Sequence, residues 1–202
     1  MLFALIAAAA LGTMPVQIDR QFWFNTARLP STRRAYWART ALTVAADGLA
    51  VACTVTASSG ERKLDVMVCA MPLHSARFQP ARDPDGNPVA AIVEQEFAVN
   101  MAAPARPPER HVDYAVPIDR LPAQANNPFV TLRIVIEPSG HIARCVVSGS
   151  SGNVALDALA CPAIATVDVQ PVRTAAGEAA RAMRDLTIAF VIKAGPQASP
   201  PS

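Results

Sequence analysis

Hydrophobic and polar positions change their period twice along this chain, in the same order each time. Over residues 41–46 an apolar, strand-like stretch meets a turn at Asp47-Gly48, and a second such stretch runs through Cys53. Over residues 132–136 the same pattern meets Pro138-Ser139-Gly140 and resumes through Cys145. Both stretches predict a hairpin. Period two places Val51, Cys53 and Val55 on one face of the first return strand. It likewise places Ala143, Cys145 and Val147 together in the second, with Arg144 on the other side.

Beyond each return strand the period becomes helical. Leu64 with Met67 and Val68, and Leu156 with Leu159 and Ala160, fall at the i, i+3, i+4 spacing of a helix with one apolar side. The small residues Ser58, Ser59 and Gly60, and Ser150, Ser151 and Gly152, mark the strand-to-helix junctions. One of them, or Asn153, supplies the amino cap. Asp65 and Asp157 lie early in each helix, where a carboxylate is favoured by unpaired backbone N–H groups. After Gln79-Pro80 or Gln170-Pro171, and a turn at Gly86 or Gly177, each pattern ends in a strand, over residues 92–99 and 186–192.

The two patterns are copies of each other. At an offset of 92 positions the segments 53–69 and 145–161 agree at eight of seventeen positions, including both cysteines, Ser-Ser-Gly and Leu-Asp. The predicted fold class is α+β, built as two tandem β-β-α-β units, each a small antiparallel sheet with one helix packed on it. The expected organisation is a signal sequence over 1–20 and an aromatic and basic arm over 21–39, followed by the first unit over 40–100. A Pro-rich linker over 101–129, the second unit over 130–193 and a loose tail over 194–202 complete it. Within the linker, Val112, Tyr114, Val116 and Ile118 have the alternation to lay one short strand along a neighbour.

A unit of about sixty residues buries only about 60% of the surface its unfolded chain exposes, so a cross-link helps it. The four cysteines all lie in the two related segments and allow three pairings. Pairing Cys53 with Cys69 and Cys145 with Cys161 joins return strand to helix within one unit, and each bond is worth about 3 kcal/mol by the chain-entropy estimate. Cross-repeat bonds, reduced buried thiols and a four-thiolate metal site are the alternatives. The last usually brings cysteines together as closely spaced knuckles, which neither pair does.

Composition narrows the functional classes. A formal charge of +2, from 18 Lys plus Arg against 16 Asp plus Glu, gives no field that would recruit nucleic acid or an anionic membrane. The apolar run over residues 2–11 is shorter than the ~20 residues of a spanning helix and reads as a secretory signal, with a cleavage region at Ala7 to Ala10. Phe22, Trp23, Phe24, Tyr36 and Trp37 interleave with Arg28, Arg33, Arg34 and Arg39, and are read as an arm that covers the first unit. His74, His111 and His141 form no metal or protease motif. Ser59, His74 and Asp65 supply the residue types of a catalytic triad but not its G-x-S-x-G elbow, and copy two has no matching histidine. No nucleotide motif is present, and no catalytic residue or cofactor is assigned.

The order of features in LRIVIEPSGHIARCVVSGSSGNVALDALACPAIATVDVQP resembles the carboxy-terminal domain of the TonB family, the receptor-engaging domains of envelope energy transducers. ARFQPARDPDGNPV, residues 76–89, is similar to that family's post-helix signature. The resemblance covers about 40–100 and 130–193. It implies a non-enzymatic periplasmic module that binds a protein partner in the envelope, such as an extended segment of an outer-membrane TonB-dependent receptor, by strand addition. The implied contact strands are Glu96, Phe97, Ala98 and Val99, and Thr187, Ile188, Ala189, Phe190 and Val191. Two alternatives are a TonB-type energy transducer whose membrane anchor precedes Met1, and an envelope hydrolase.

Overall fold

The computed structural model describes residues 11–18, 36–99, 110–123, 125 and 127–193. Most of the expected signal sequence, nearly all of the aromatic and basic arm, part of the linker and the tail lie outside the described residues. The fold is α+β. The short β1 (Val16–Gln17) precedes the hairpin of β2 (Tyr36–Val44) and β3 (Ala50–Ala57), then helix α1 (Arg62–Ser75). The short β4 (Phe78–Gln79) and β5 (Ala81–Arg82) lead to the long β6 (Pro88–Val99). After β7 (Tyr114–Ile118) come the hairpin β8 (Phe129–Ile136) and β9 (Ile142–Gly149), helix α2 (Val154–Ile164), the short β10 (Val172–Arg173) and β11 (Ala179–Ala180), and the long β12 (Ala182–Ile192).

The two hairpins and the two long strands lie in one sheet of order β3-β2-β6-β12-β8-β9. Within each half the pairing is antiparallel, as the hairpin patterns predict. Between halves, β12 joins β6 in parallel through Ala182, Met183 and Arg184 against Ala90, Ala91 and Ile92. The Pro-rich segment therefore does not hold two separate sheets apart. Its alternating residues form β7, which lies parallel to β12 from Ile188↔Tyr114 to Ile192↔Ile118.

Parallel pairing at the centre puts the helices on opposite faces. Ala182, Leu186, Ile188 and Phe190 of β12 join Leu156, Ala160 and Ile164 of α2, and Ala90 of β6 belongs to the same cluster. Seven residues further along β6, on the other side of the pleat, Phe97 packs with Ala38 and with Leu64 and Val68 of α1. The intervening Ala91 and Met183 share a small cluster with Val135 and Val89. Each helix is thus held by an i, i+4, i+8 stripe: Leu64, Val68 and Pro72, and Leu156, Ala160 and Ile164. Leu159, expected on that side, is exposed; the buried stripe is narrow, and an i+3 position falls off its edge.

Both return strands carry bulges at equivalent places. Val51 is skipped between Val44↔Ala50 and Thr43↔Ala52, and Ala143 between Ile136↔Ile142 and Val135↔Arg144. Thr56 and Ser148 are skipped in the same way. An extra residue reverses the alternation beyond it, so Ala143 is exposed and Ile142 is buried instead. Simple period two had placed Ala143 with Cys145.

The hairpin turns need glycine. Gly48 and Gly140 have φ of 86° and 93°. A Cβ on either would lie 2.1 Å from the Phe78 carbonyl oxygen or 2.4 Å from that of Val169. Each turn is clasped by the segment after the helix, with Phe78 N–H donating to Gly48 O and Val169 N–H to Gly140 O, both at 3.0 Å. Gly140→Ala is expected to cost about 1–3 kcal/mol, measured by chemical denaturation. Gly177→Ala, with a similar φ but open space around it, should cost only the backbone part.

Candidate functional site

The strand-to-helix junctions are two copies of one hydrogen-bonded knot. Asp65 accepts from the Ser58 hydroxyl, from the Ser59 N–H at 2.8 Å and from the Ser59 hydroxyl at 2.7 Å. Asp157 accepts from the Ser150 hydroxyl, from the Ser151 N–H at 2.9 Å and from the Ser151 hydroxyl at 2.8 Å. Gly60 and Gly152 have φ of 79° and 82°, which lets the chain turn there. The amino caps are Glu61 and Asn153. Asn153 was among the expected caps, whereas in the first half the cap falls one residue past Gly60. Leu64 and Leu156 are the first buried residues of their helices.

The serines therefore serve the aspartates as donors. His74 lies nine residues beyond Asp65 on the same helix, about 14 Å along its axis at 1.5 Å per residue. The Ser59, His74 and Asp65 constellation does not assemble. Burial pushes both carboxyls up, but the serine hydrogen bonds outweigh it and hold Asp65 and Asp157 below the ordinary 3.8. A lowered folded pKa gives stability that is present above the unfolded value and lost as pH falls through the folded one. Asp65→Asn with Asp157→Asn should thus lower stability at pH 7 and flatten its decline below about pH 4. Denaturation midpoints from pH 7 down to pH 2.5 check this; an unchanged acid slope would contradict it.

Each junction is braced by a disulfide between return strand and helix. Cys53 is joined to Cys69 and Cys145 to Cys161, with Cα atoms 5.4 and 5.7 Å apart. The return strands so braced, β3 and β9, are the outermost strands of the sheet path. β3, AVACTVTA, carries no charge and no proline on that edge.

The two implied contact strands are placed differently. Ile188 and Ala189 are paired on one side with Val130 and Phe129 of β8, and on the other with Tyr114 and Ala115 of β7. Phe190 and Val191 lie against Val116 and Pro117 of β7. Thr187 pairs with Thr131 of β8, and its N–H and C=O both engage Asp113, through the Oδ2 and the backbone N–H, each at 2.8 Å. Residues 187–191 are therefore not an open edge. The alternating Tyr114, Val116 and Ile118 bury against the α2 cluster, and the Asp113–Arg184 and Asp119–Lys193 pairs pin both ends of β7 at 2.7 and 2.9 Å. Pro117 lies on this outer strand, where a missing N–H is tolerated and a further strand is discouraged.

Glu96, Phe97, Ala98 and Val99 pair with Arg39, Ala38, Trp37 and Tyr36 of β2 on one side. On the other side, β12 accompanies β6 only as far as Ile92; beyond it no strand among the described residues takes that edge. Glu96 and Ala98 are exposed, while Phe97 anchors the strand beneath α1. Where β6 and β12 part, Arg39, Glu94, Glu96, Arg110, His111 and Thr187 line a polar cleft of about 200 Å³.

His111 lies in the segment read as a Pro-rich linker and in no metal motif of the sequence, and its neighbourhood follows only from the β7 docking. Its Nε2 lies 3.5 Å from Asp113 Oδ1 and 3.9 Å from Glu94 Oε1. These three groups bring ligand atoms within 4.8 Å of one another, as a metal site would. Both Asp113 oxygens are already occupied, however, by Arg184 and the Thr187 N–H, so the cluster is better matched to fastening β7. Among the described residues no helix is long and apolar enough to cross a membrane. No protein-family description, curated protein or solved structure matches this chain.

Proposed function

We propose that this is an exported, non-enzymatic binding protein of the periplasm, built from two TonB-like β-β-α-β units, that holds an extended segment of an envelope protein by strand addition. The supporting observation is that β12 leaves β6 beyond Ile92, where Glu94 and Glu96 line a polar cleft and no strand among the described residues takes β12's place. The backbone ladder supplies attachment, and Glu94, Glu96 and Ala98 are the alternate side chains that meet the incoming segment's neighbours. Two disulfides in a chain of this size fit an oxidising compartment. Phe97 and the helix beneath it hold the edge flat before the partner arrives, which lowers the ordering cost of binding.

The partner class comes from the resemblance: an extended periplasmic segment of an outer-membrane receptor. In an amide NMR titration with a synthetic peptide of such a segment, the affected resonances are expected at Glu94 to Ala98, with Ile188 to Val191 unmoved. Perturbation centred on β12, or no saturable perturbation at all, would contradict the proposal.

A further inference from the structure

Residues 12–18 lie within the signal sequence expected over 1–20, yet they are built into the fold. Thr13 and Arg82 exchange both backbone hydrogen bonds, at 2.8 and 2.9 Å, and Val16 and Gln17 of β1 pair with Gln79 and Phe78 of β4. Ile18 N–H extends the ladder to Arg77 O at 3.0 Å. The segment is a strap, laid antiparallel along the stretch that follows α1.

An apolar side chain of this strap ties the two halves together. Met14 packs against Ala81, Val89 and Ala91 of the first half and against Val135 and Met183 of the second. The cluster sits at the parallel junction of β6 and β12, where Met183 pairs with Ala91. Gly12 brings the chain into it. Its φ is 64°, and a Cβ on it would lie 2.5 Å from the Arg82 carbonyl oxygen and 2.9 Å from Met183 Cε. A cut inside or beyond the strap would take away part of this cluster, so an export cleavage belongs upstream of Gly12.

Ala7 with Ala9, Ala8 with Ala10, and Ala10 with Gly12 each place small residues three and one positions before a bond, the pattern a signal peptidase reads. The last would discard Gly12, around which the clasp of Arg82 and Met183 is shaped. Of the others, the bond after Ala10 leaves the longer apolar run upstream. We propose that the Ala10–Leu11 peptide bond is the processing site of this chain, cut by a signal peptidase on export, and that the mature chain keeps residues 12–18 as a strap across the junction of its halves. The step is a hydrolysis: water supplies the second oxygen of the Ala10 carboxylate and the two protons that make the Leu11 amine an ammonium. This inference rests on the export part of the proposed function and is independent of strand addition.

The test is to produce the full chain in a Gram-negative host, separate periplasm from cytoplasm, and read the first residue by amino-terminal sequencing. The periplasmic chain should begin Leu-Gly-Thr-Met-Pro. Any other first residue overturns the site. An uncut chain in the periplasm does so with export intact, whereas an uncut chain confined to the cytoplasm overturns the export reading as well. The strap is tested on the recovered protein. Gly12→Ala and Met14→Ala should each lower Tm by about 3–6 °C, while Val16→Thr, at an exposed position, should leave it within about 2 °C. If the first two variants change Tm no more than the third, residues 12–18 are not a strap and the proposal falls.

Discussion

Replacing Cys145 and Cys161 together by alanine is expected to lower the unfolding free energy by about 3 kcal/mol, the chain-entropy value for a loop of this size. In a chain of this length that corresponds to a fall of about 6–12 °C in Tm. The loss arises in the unfolded chain, which gains the freedom of the opened loop, and locally, where β9 is no longer tied to α2. Since β9 is an outermost strand, its amides should also lose hydrogen-exchange protection more than those of β8. The Cys53 and Cys69 pair should behave alike in β3. A loss below 1 kcal/mol in both pairs would show that the helices are held by packing alone.

Asp113→Ala carries the second large effect, and the direction matters as much as the size. It removes the acceptor of the Arg184 guanidinium at 2.7 Å and of the Thr187 N–H at 2.8 Å, leaving two donors in a largely buried place. Each such loss costs about 1–3 kcal/mol, so destabilisation of about 2–4 kcal/mol is expected, concentrated where β7 meets β12. Exchange at Ile188 to Ile192 should accelerate by more than tenfold while β2 and β3 stay protected. Uniform acceleration across the sheet would mean that β7 is a structural member whose loss unfolds everything. Local acceleration identifies it as a cover over an otherwise open edge.

What the sequence disclosed, and what it withheld, divides along the reach of the interactions. Hairpins, helices, the Ser-Ser-Gly junctions and the cysteine pairing depend on residues within about twenty positions of one another, and period and spacing carry that information. The pairing of β6 with β12 joins Ala90 to Ala182, and no local pattern specifies it. With it went the placement of the helices on opposite faces. β7 was legible as an alternation in 112–118, but not its partner, so the occupied state of residues 187–191 could only come from the fold. The bulges at Val51 and Ala143 defeat strict alternation. Asp65 and Asp157 were placed correctly at the helix starts, but for a general reason; their tie to the preceding serines is specific to the junction. The ion pairs of Arg181 with Asp83 and Glu137 gave no signal at all, because they form only when distant segments meet.

The central claim is that an extended envelope segment is held along β6 beyond Ile92, where β12 leaves it, and not at the covered edge of β12. Its most direct test is a photo-crosslinking residue placed at Ala98 or at Val191, both exposed, in protein exported to the periplasm of living cells. The expected result is a crosslink from Ala98 to the periplasmic segment of an outer-membrane receptor, identified by mass spectrometry, with none from Val191. A receptor crosslink from Val191 alone, or none from either position, would contradict the account.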